Sequence, residues 1–265
     1  MKITSHASLV LVLATMPVAC AAETALEPPL PSVETLLQRV AERAKQEREN
    51  DRAFNAAHSF TRTKVTEYRN ARGNLKKREE KTRRHVPVSR SPSSAGPSRA
   101  GNGDTDTTQE GNVTEADHTN AHDRAYEEDE FPLQEDLFKR FDLQIVRREI
   151  LNGRPTLVVD FQPAQRKVPE RSLKERFINK TAGRVWVDEQ DFAVARANLR
   201  LTGKVKVVGG LVGSVSSFTF SSTRERTGDG LWFSRKVDWH LEGRELLFQR
   251  IVDYHEETRD VTKAR

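Results

Sequence analysis

Leu231-Trp232-Phe233-Ser234-Arg235-Lys236-Val237-Asp238-Trp239-His240-Leu241 places Leu231, Phe233, Val237, Trp239 and Leu241 on one side of a single extended segment. A period of two is the signature of a β-strand with one apolar face. Gly228-Asp229-Gly230 makes a turn before it, and Glu242-Gly243-Arg244 is read as a turn into a further strand over 245–256. Upstream, residues 216–223 carry Phe218 and Phe220 on one face. Before those, Val207-Val208-Gly209-Gly210-Leu211-Val212-Gly213 is apolar and flexible. The return strand over 192–201 is expected to place Ala193, Ala195, Ala197, Leu199 and Leu201 together, opposite Arg196, Asn198 and Arg200. Gly183-Arg184-Val185-Trp186-Val187-Asp188 opens the series. From 182 to 257 the chain therefore reads as a continuous antiparallel sheet with one apolar face.

The same reading extends toward the N-terminus. Residues 143–151 and 155–162 flank Asn152-Gly153, the dipeptide best suited to the positive φ angles of a two-residue hairpin. A short helix over 133–141, with Leu133, Leu137, Phe138 and Phe141 inward, precedes them. A basic crossover over 163–181, with one helical turn, follows. Residues 59–68 and 75–86 form another hairpin, and the charge density of Lys76 to Arg84 puts it near a sheet edge, where such residues deter further pairing. Ser32 caps an amphipathic helix carrying Val33, Leu36, Leu37, Val40 and Ala44 and running to about Asn50. Between Ser89 and Ala125 there is no Leu, Ile, Phe, Trp or Tyr. A segment that buries so little apolar surface does not offset its ordering entropy, so 87–130 is read as disordered. His118 and His122 inside it are read as solvated side chains, not metal ligands.

Charge and cysteine content narrow the function. Lys and Arg number 44 against 39 Asp and Glu, a surplus of +5 spread along the 265 residues. Scattered charge argues for solubility, with a weak pull toward an anionic membrane surface, and against nucleic acid as a partner. Lys2, the apolar run from Ser8 to Val18 and the small residues Ala19-Cys20-Ala21 read as a signal peptide over 1–21. The expected location is periplasmic; Cys20 as an acylated lipoprotein residue is the alternative, with the chain anchored at the outer membrane. Cys20 is the one cysteine, so a chain cleaved after Ala21 or Ala22 holds no thiol chemistry. No nucleophile elbow, phosphate loop, zinc motif or cysteine pair is present. His240 and His255 show no proton-transfer partner in the linear sequence, and Asp188 and Asp191 read as ordinary turn residues. No enzyme activity, cofactor or metal is expected.

Several of these residues resemble a known family. Gly183 to Asp188, Phe192 and Val194, Gly209-Gly210-Leu211, Asp229-Gly230-Leu231-Trp232 and Gly243 to Phe248 are similar to exported bacterial proteins described as outer-membrane lipoprotein-sorting-protein-like. The resemblance spans Ala182 to Thr258, is looser over the N-terminal helix and first hairpin, and is absent from the insert. It implies an α+β fold, a curved antiparallel β half-barrel covered by helices, and a lipid or acylated lipoprotein as partner of a monomeric carrier. No cavity arginine or release residue of that family maps onto a position here. The expected division is a signal peptide over 1–21, helix and first hairpin over 22–86, the insert over 87–130, the rest of the half-barrel over 131–258 and a tail over 259–265. Leu199, Leu201, Leu211, Phe218, Phe220, Leu231, Phe233, Val237, Trp239 and Leu241 are the expected apolar ligand wall, a filled barrel of an envelope interaction protein being the other reading. Mass spectrometry of the mature N-terminus is expected to find an unmodified chain starting at Ala22 or Glu23; a diacylated Cys20 would assign the lipoprotein form instead.

Overall fold

The computed structural model describes residues 28–87, 138–166, 168–207, 213–245 and 248–264. The expected signal peptide with Cys20, the stretch from Ser89 to Ala125, Leu133, Leu137 and Leu211 lie outside them. In chain order the elements are α1 (Val33–Ala44), α2 (Glu47–Ala57), β1 (His58–Asn70), β2 (Leu75–His85), β3 (Phe141–Leu151), β4 (Arg154–Pro163) and α3 (Leu173–Ile178). They continue with β5 (Thr181–Asp188), β6 (Val194–Leu201), β7 (Val205–Val207), β8 (Gly213–Arg226), β9 (Trp232–Glu245) and β10 (Phe248–Lys263). All ten strands form one open antiparallel sheet in the order β2-β1-β10-β9-β8-β6-β5-β4-β3, with β7 paired to β8. The architecture is the α+β half-barrel anticipated above.

Local chemistry explains most boundaries. Ser32 caps α1, its hydroxyl accepting from the Thr35 amide at 3.1 Å. Asn152 and Gly153 take φ of 51° and 76° and join β3 to β4. The charged β2 lies at the sheet edge, exposed along nearly its whole length. The helix expected to stop near Asn50 instead breaks after Ala44 and resumes as α2. Asn50 is its anchor: buried at 7% exposure, it donates to the Trp232 carbonyl at 2.7 Å and accepts from the Trp232 amide at 2.9 Å. A side-chain amide thus replaces a strand partner for Trp232, a pairing that no periodicity announces.

Four further expectations are corrected. Ala193 and Ala195 do not share a face with Ala197 and Leu199. A bulge in the β5–β6 ladder, between the pairs Trp186–Arg196 and Val187–Val194, inserts one residue. Inserting one residue reverses the alternation. Phe192 and Val194 therefore pack toward α1 with Leu36, Val40, Leu157, Val159 and Val187, whereas Ala193 and Ala195 join Trp232 and Leu151 in a separate cluster. Gly243 is not in a turn: β9 runs on to Glu245, and a Cβ at Gly243 would sit 2.9 Å from the Ser214 carbonyl, so the glycine permits close main-chain approach. Phe141 begins β3 instead of ending a helix. The expected tail is largely strand, since β10 pairs with β1 as far as Lys263 opposite His58.

Among the described residues Asp188 is the least exposed carboxylate, at 0% exposure. The Arg154 guanidinium grips it through Nε and Nη2 at 2.6 and 2.8 Å, and its Oδ1 also accepts from the Asp191 and Gln190 amides. Burial works to raise its pKa, but these donors outweigh it and the value lies below the usual carboxylate range. A depressed folded pKa gives stability that is present above the unfolded value of about 3.9 and is lost as pH falls through the folded value. Urea denaturation of Arg154→Leu is expected to show a loss of about 3 kcal/mol, because the carboxylate is left buried without its partner. The loss of stability on acidification below the unfolded value should shrink in the same variant.

Candidate functional site

Alternation in register across six strands sorts the sheet into two unlike faces. On the helix-bearing face Phe161, Gly183, Leu199, Phe220, Trp239 and Tyr254 stand in one row from β4 to β10. Leu201 on β6 and Phe218, Leu241 and Val252 on β8 to β10 lie one step along, and Val237 lies one step the other way. Trp239 stacks on Tyr254, with ring centres 5.2 Å apart and 11° between planes. The three helices cap this face at its margins. α1 covers Leu157, Val159 and Val187. In α2, Phe54 stacks against Phe60 and Phe233. From α3, Phe177 meets the Phe218 ring edge-on at 5.1 Å. Between the caps Leu199, Phe220, Trp239 and Tyr254 remain half-buried.

Of the expected wall residues, the fold brings Leu199, Leu201, Phe218, Phe220, Val237, Trp239 and Leu241 onto this one surface. Leu231 and Phe233 are placed apart from them, in the cluster under α2 with Phe54 and Phe60. Leu211 lies outside the described residues.

The opposite face is polar. A concavity of about 1150 Å³ takes its lining from every strand except β7, so the sheet bends around it. Two rows supply its side chains: Asp160, Arg184, Asn198, Ser221, Asp238 and His255, and beside them Arg200, Thr219, His240, Asp253 and Glu67. The intervening row of Leu199, Phe220 and Trp239 turns its side chains to the other face and contributes main chain to the floor. Carboxylates and cations pair across strands. Arg184 binds Asp160 through Nε and Nη2 at 2.5 and 2.8 Å and, ahead of an opposing burial effect, holds that carboxyl below its usual pKa.

Here the linear reading missed two partnerships. Asp238-Trp239-His240 and Asp253-Tyr254-His255 are the same Asp-aromatic-His pattern, and β9 and β10 run antiparallel with Trp239 opposite Tyr254. Each His consequently faces the other strand's Asp: His240 Nδ1 lies 2.6 Å from Asp253 Oδ1, and His255 Nδ1 lies 2.6 Å from Asp238 Oδ1. The repeated tripeptide was the available signal. Thr219 stands opposite His240 on β8, yet the second imidazole nitrogen is directed at Glu242, 3.2 Å away, and not at the hydroxyl. A base–nucleophile relay of the Ser-His-Asp kind is not assembled. Among the described residues no group of three or more His, Cys, Asp or Glu is arranged to hold a metal ion.

No family model matches the chain, and no curated protein matches it. Among solved structures it is similar to a domain described as an outer membrane lipoprotein-sorting protein from Vibrio parahaemolyticus, at 11% identity and TM-score 0.32, covering 86% of this chain and 93% of that one. It is also similar to a LolA superfamily protein from Nitrosomonas europaea, at 12% identity and TM-score 0.30, covering 89% and 94%. The MucA/MucB complex from Pseudomonas aeruginosa matches at 11% identity and TM-score 0.23, covering 85% and 93%. The first of these carries the lipoprotein-sorting description that the sequence resemblance named. At such scores they carry no functional argument, which rests on the surfaces described above.

The His240–Asp253 pair makes stability depend on pH. Burial lowers the His240 pKa, but the bonds to Asp253 and Glu242 outweigh it and leave the value raised. A raised folded pKa gives stability that is complete below the unfolded value of about 6.5 and is lost as pH rises through the folded value. Thermal melts are expected to show the melting temperature falling across that window. The fall should be smaller in His240→Gln; an identical pH profile would show that the pair does not titrate.

Proposed function

We propose that this protein is a non-enzymatic carrier or binding protein of the bacterial periplasm that holds the acyl chains of a lipid or lipoprotein against the helix-bearing face of its half-barrel. One observation carries the reading: Leu199, Phe220, Trp239 and Tyr254 form a row in register across adjacent strands that stays half-buried between the three helical caps. A wall of this kind offers what an acyl chain needs and little that a polar substrate needs. Covering six methylenes would supply about 5 kcal/mol at roughly 0.8 kcal/mol each, enough for reversible capture and release. The secretory reading of residues 1–21 supports an exported location.

Native mass spectrometry of protein purified from its own envelope tests this. Adducts of lipid mass are expected on the parent chain. Trp239→Asp, which sets a carboxylate in the middle of the wall, should lose them while keeping its far-ultraviolet circular dichroism. A folded parent consistently free of adducts would overturn the proposal and favour a partner-binding envelope protein.

A further inference from the structure

The β1–β2 edge carries a charge arrangement that the fold does not need. On the helix-bearing face Arg62 is directly opposite Arg83, and Lys64 directly opposite Lys81. Like charges facing across a ladder are destabilising, and opposite-sign pairs are the usual choice. Two such pairs stand in consecutive rows. Glu256 on β10 is the one carboxylate set between them, 3.3 Å from Arg62 Nε and 3.6 Å from Lys64 Nζ. Among the described residues neither Lys81 nor Arg83 has a carboxylate partner, and both are exposed.

Position gives this cluster its meaning. Glu256 and Lys64 occupy the row next to Tyr254, whose hydroxyl donates to Glu256 and whose ring stacks on Trp239. One strand spacing and one two-residue step separate Lys64 from Tyr254, about 8 Å between main chains. Tyr254's own row closes at Thr66 and Glu79, the latter paired with Lys77, and the cationic pairs lie one step beside it, so a cationic rim adjoins the end of the apolar row within the span of a single amphiphile.

We infer that Arg62, Lys64, Lys81 and Arg83 form a headgroup subsite and that the ligand is an anionic amphiphile: a phosphate or carboxylate at the rim, with its acyl chain along Tyr254, Trp239, Phe220 and Leu199. The inference rests on the acyl-binding reading and narrows it to anionic lipids. Solvent screens the exposed Lys81 and Arg83 and Glu256 offsets one of the four cations, so discrimination of about tenfold is expected in place of the larger effect of four unscreened charges.

The test is a titration with dilauroyl phosphatidylglycerol, dilauroyl phosphatidylcholine and inorganic phosphate, read by Trp239 fluorescence. Trp186 and Trp232 are buried at 6% and 3% exposure, so Trp239 is the tryptophan that senses the wall. Phosphatidylglycerol is expected to bind about tenfold more tightly than phosphatidylcholine, and the double variant Lys81→Glu/Arg83→Glu, whose rim holds two cations against three carboxylates, to lose or reverse that preference while keeping its far-ultraviolet circular dichroism. Equal affinities in the parent chain, or a preference surviving in the variant, would overturn the headgroup subsite and leave acyl binding standing. No response to either lipid would overturn acyl binding itself. Phosphate is expected not to displace phosphatidylglycerol at equal concentration; displacement would assign the rim to a free anion and overturn the lipid assignment.

Discussion

Two copies of one tripeptide, Asp238-Trp239-His240 and Asp253-Tyr254-His255, face each other across β9 and β10, and the organisation of the molecule depends on that register. Sliding either strand by one residue would set its imidazole among the apolar side chains and its aromatic ring in the polar concavity. In the observed register the Trp239–Tyr254 stack and the two His–Asp pairs form together, on opposite sides of the same hairpin. The pairing is antiparallel, so an asymmetric motif repeated once becomes complementary to itself. From this hairpin the alternation passes through β8, β6 and β5 to β4 on one side and through β1 to β2 on the other.

Instead of one large core the described part of the protein has three small ones. α1 seals the first against β4 and β5, Phe54 seals the second against Phe60 and Phe233, and Trp232 fills the third beside Ala193 and Ala195. Polar clips join them. Asn50 holds the Trp232 main chain, Asp191 accepts from the Trp232 indole at 2.9 Å, and Arg154 ties Asp188 and Asp191 together at the same end of the sheet. Such contacts are costly to break singly, because each loss leaves a buried polar group unsatisfied. Concentrating them at one end leaves the middle of the helix-bearing face to half-exposed aromatic and aliphatic side chains. Packing at the margins and an open row between is an arrangement suited to a guest with an apolar chain.

Period-two patterning determined much of this in advance. The strands β5, β6, β8, β9 and β10, the Asn152-Gly153 hairpin, the edge position of the charged β2 and the Ser32 cap were legible because each depends on neighbours within a few residues. So was the composition of the apolar surface: seven of the ten residues expected on one wall do stand on one surface, because a strand's alternation is a local property.

What only the tertiary structure decided depends on which strand lies beside which. The bulge that turns Ala193 and Ala195 away from Leu199, the continuation of β9 through Gly243, and the pairing of β1 with β10, which carries the ladder as far as Lys263, all arise from contacts between residues distant in sequence. The partners of His240, His255 and Asp188 were hidden for the same reason. So was the cationic rim: Lys64 and Lys81 are scattered charges in the chain and face each other only once the first hairpin is in register. Local sequence set which residues were apolar, charged or extended. Only long-range strand pairing placed the charges at the end of the apolar row, since cross-strand distances of about 5 Å are independent of separation along the chain.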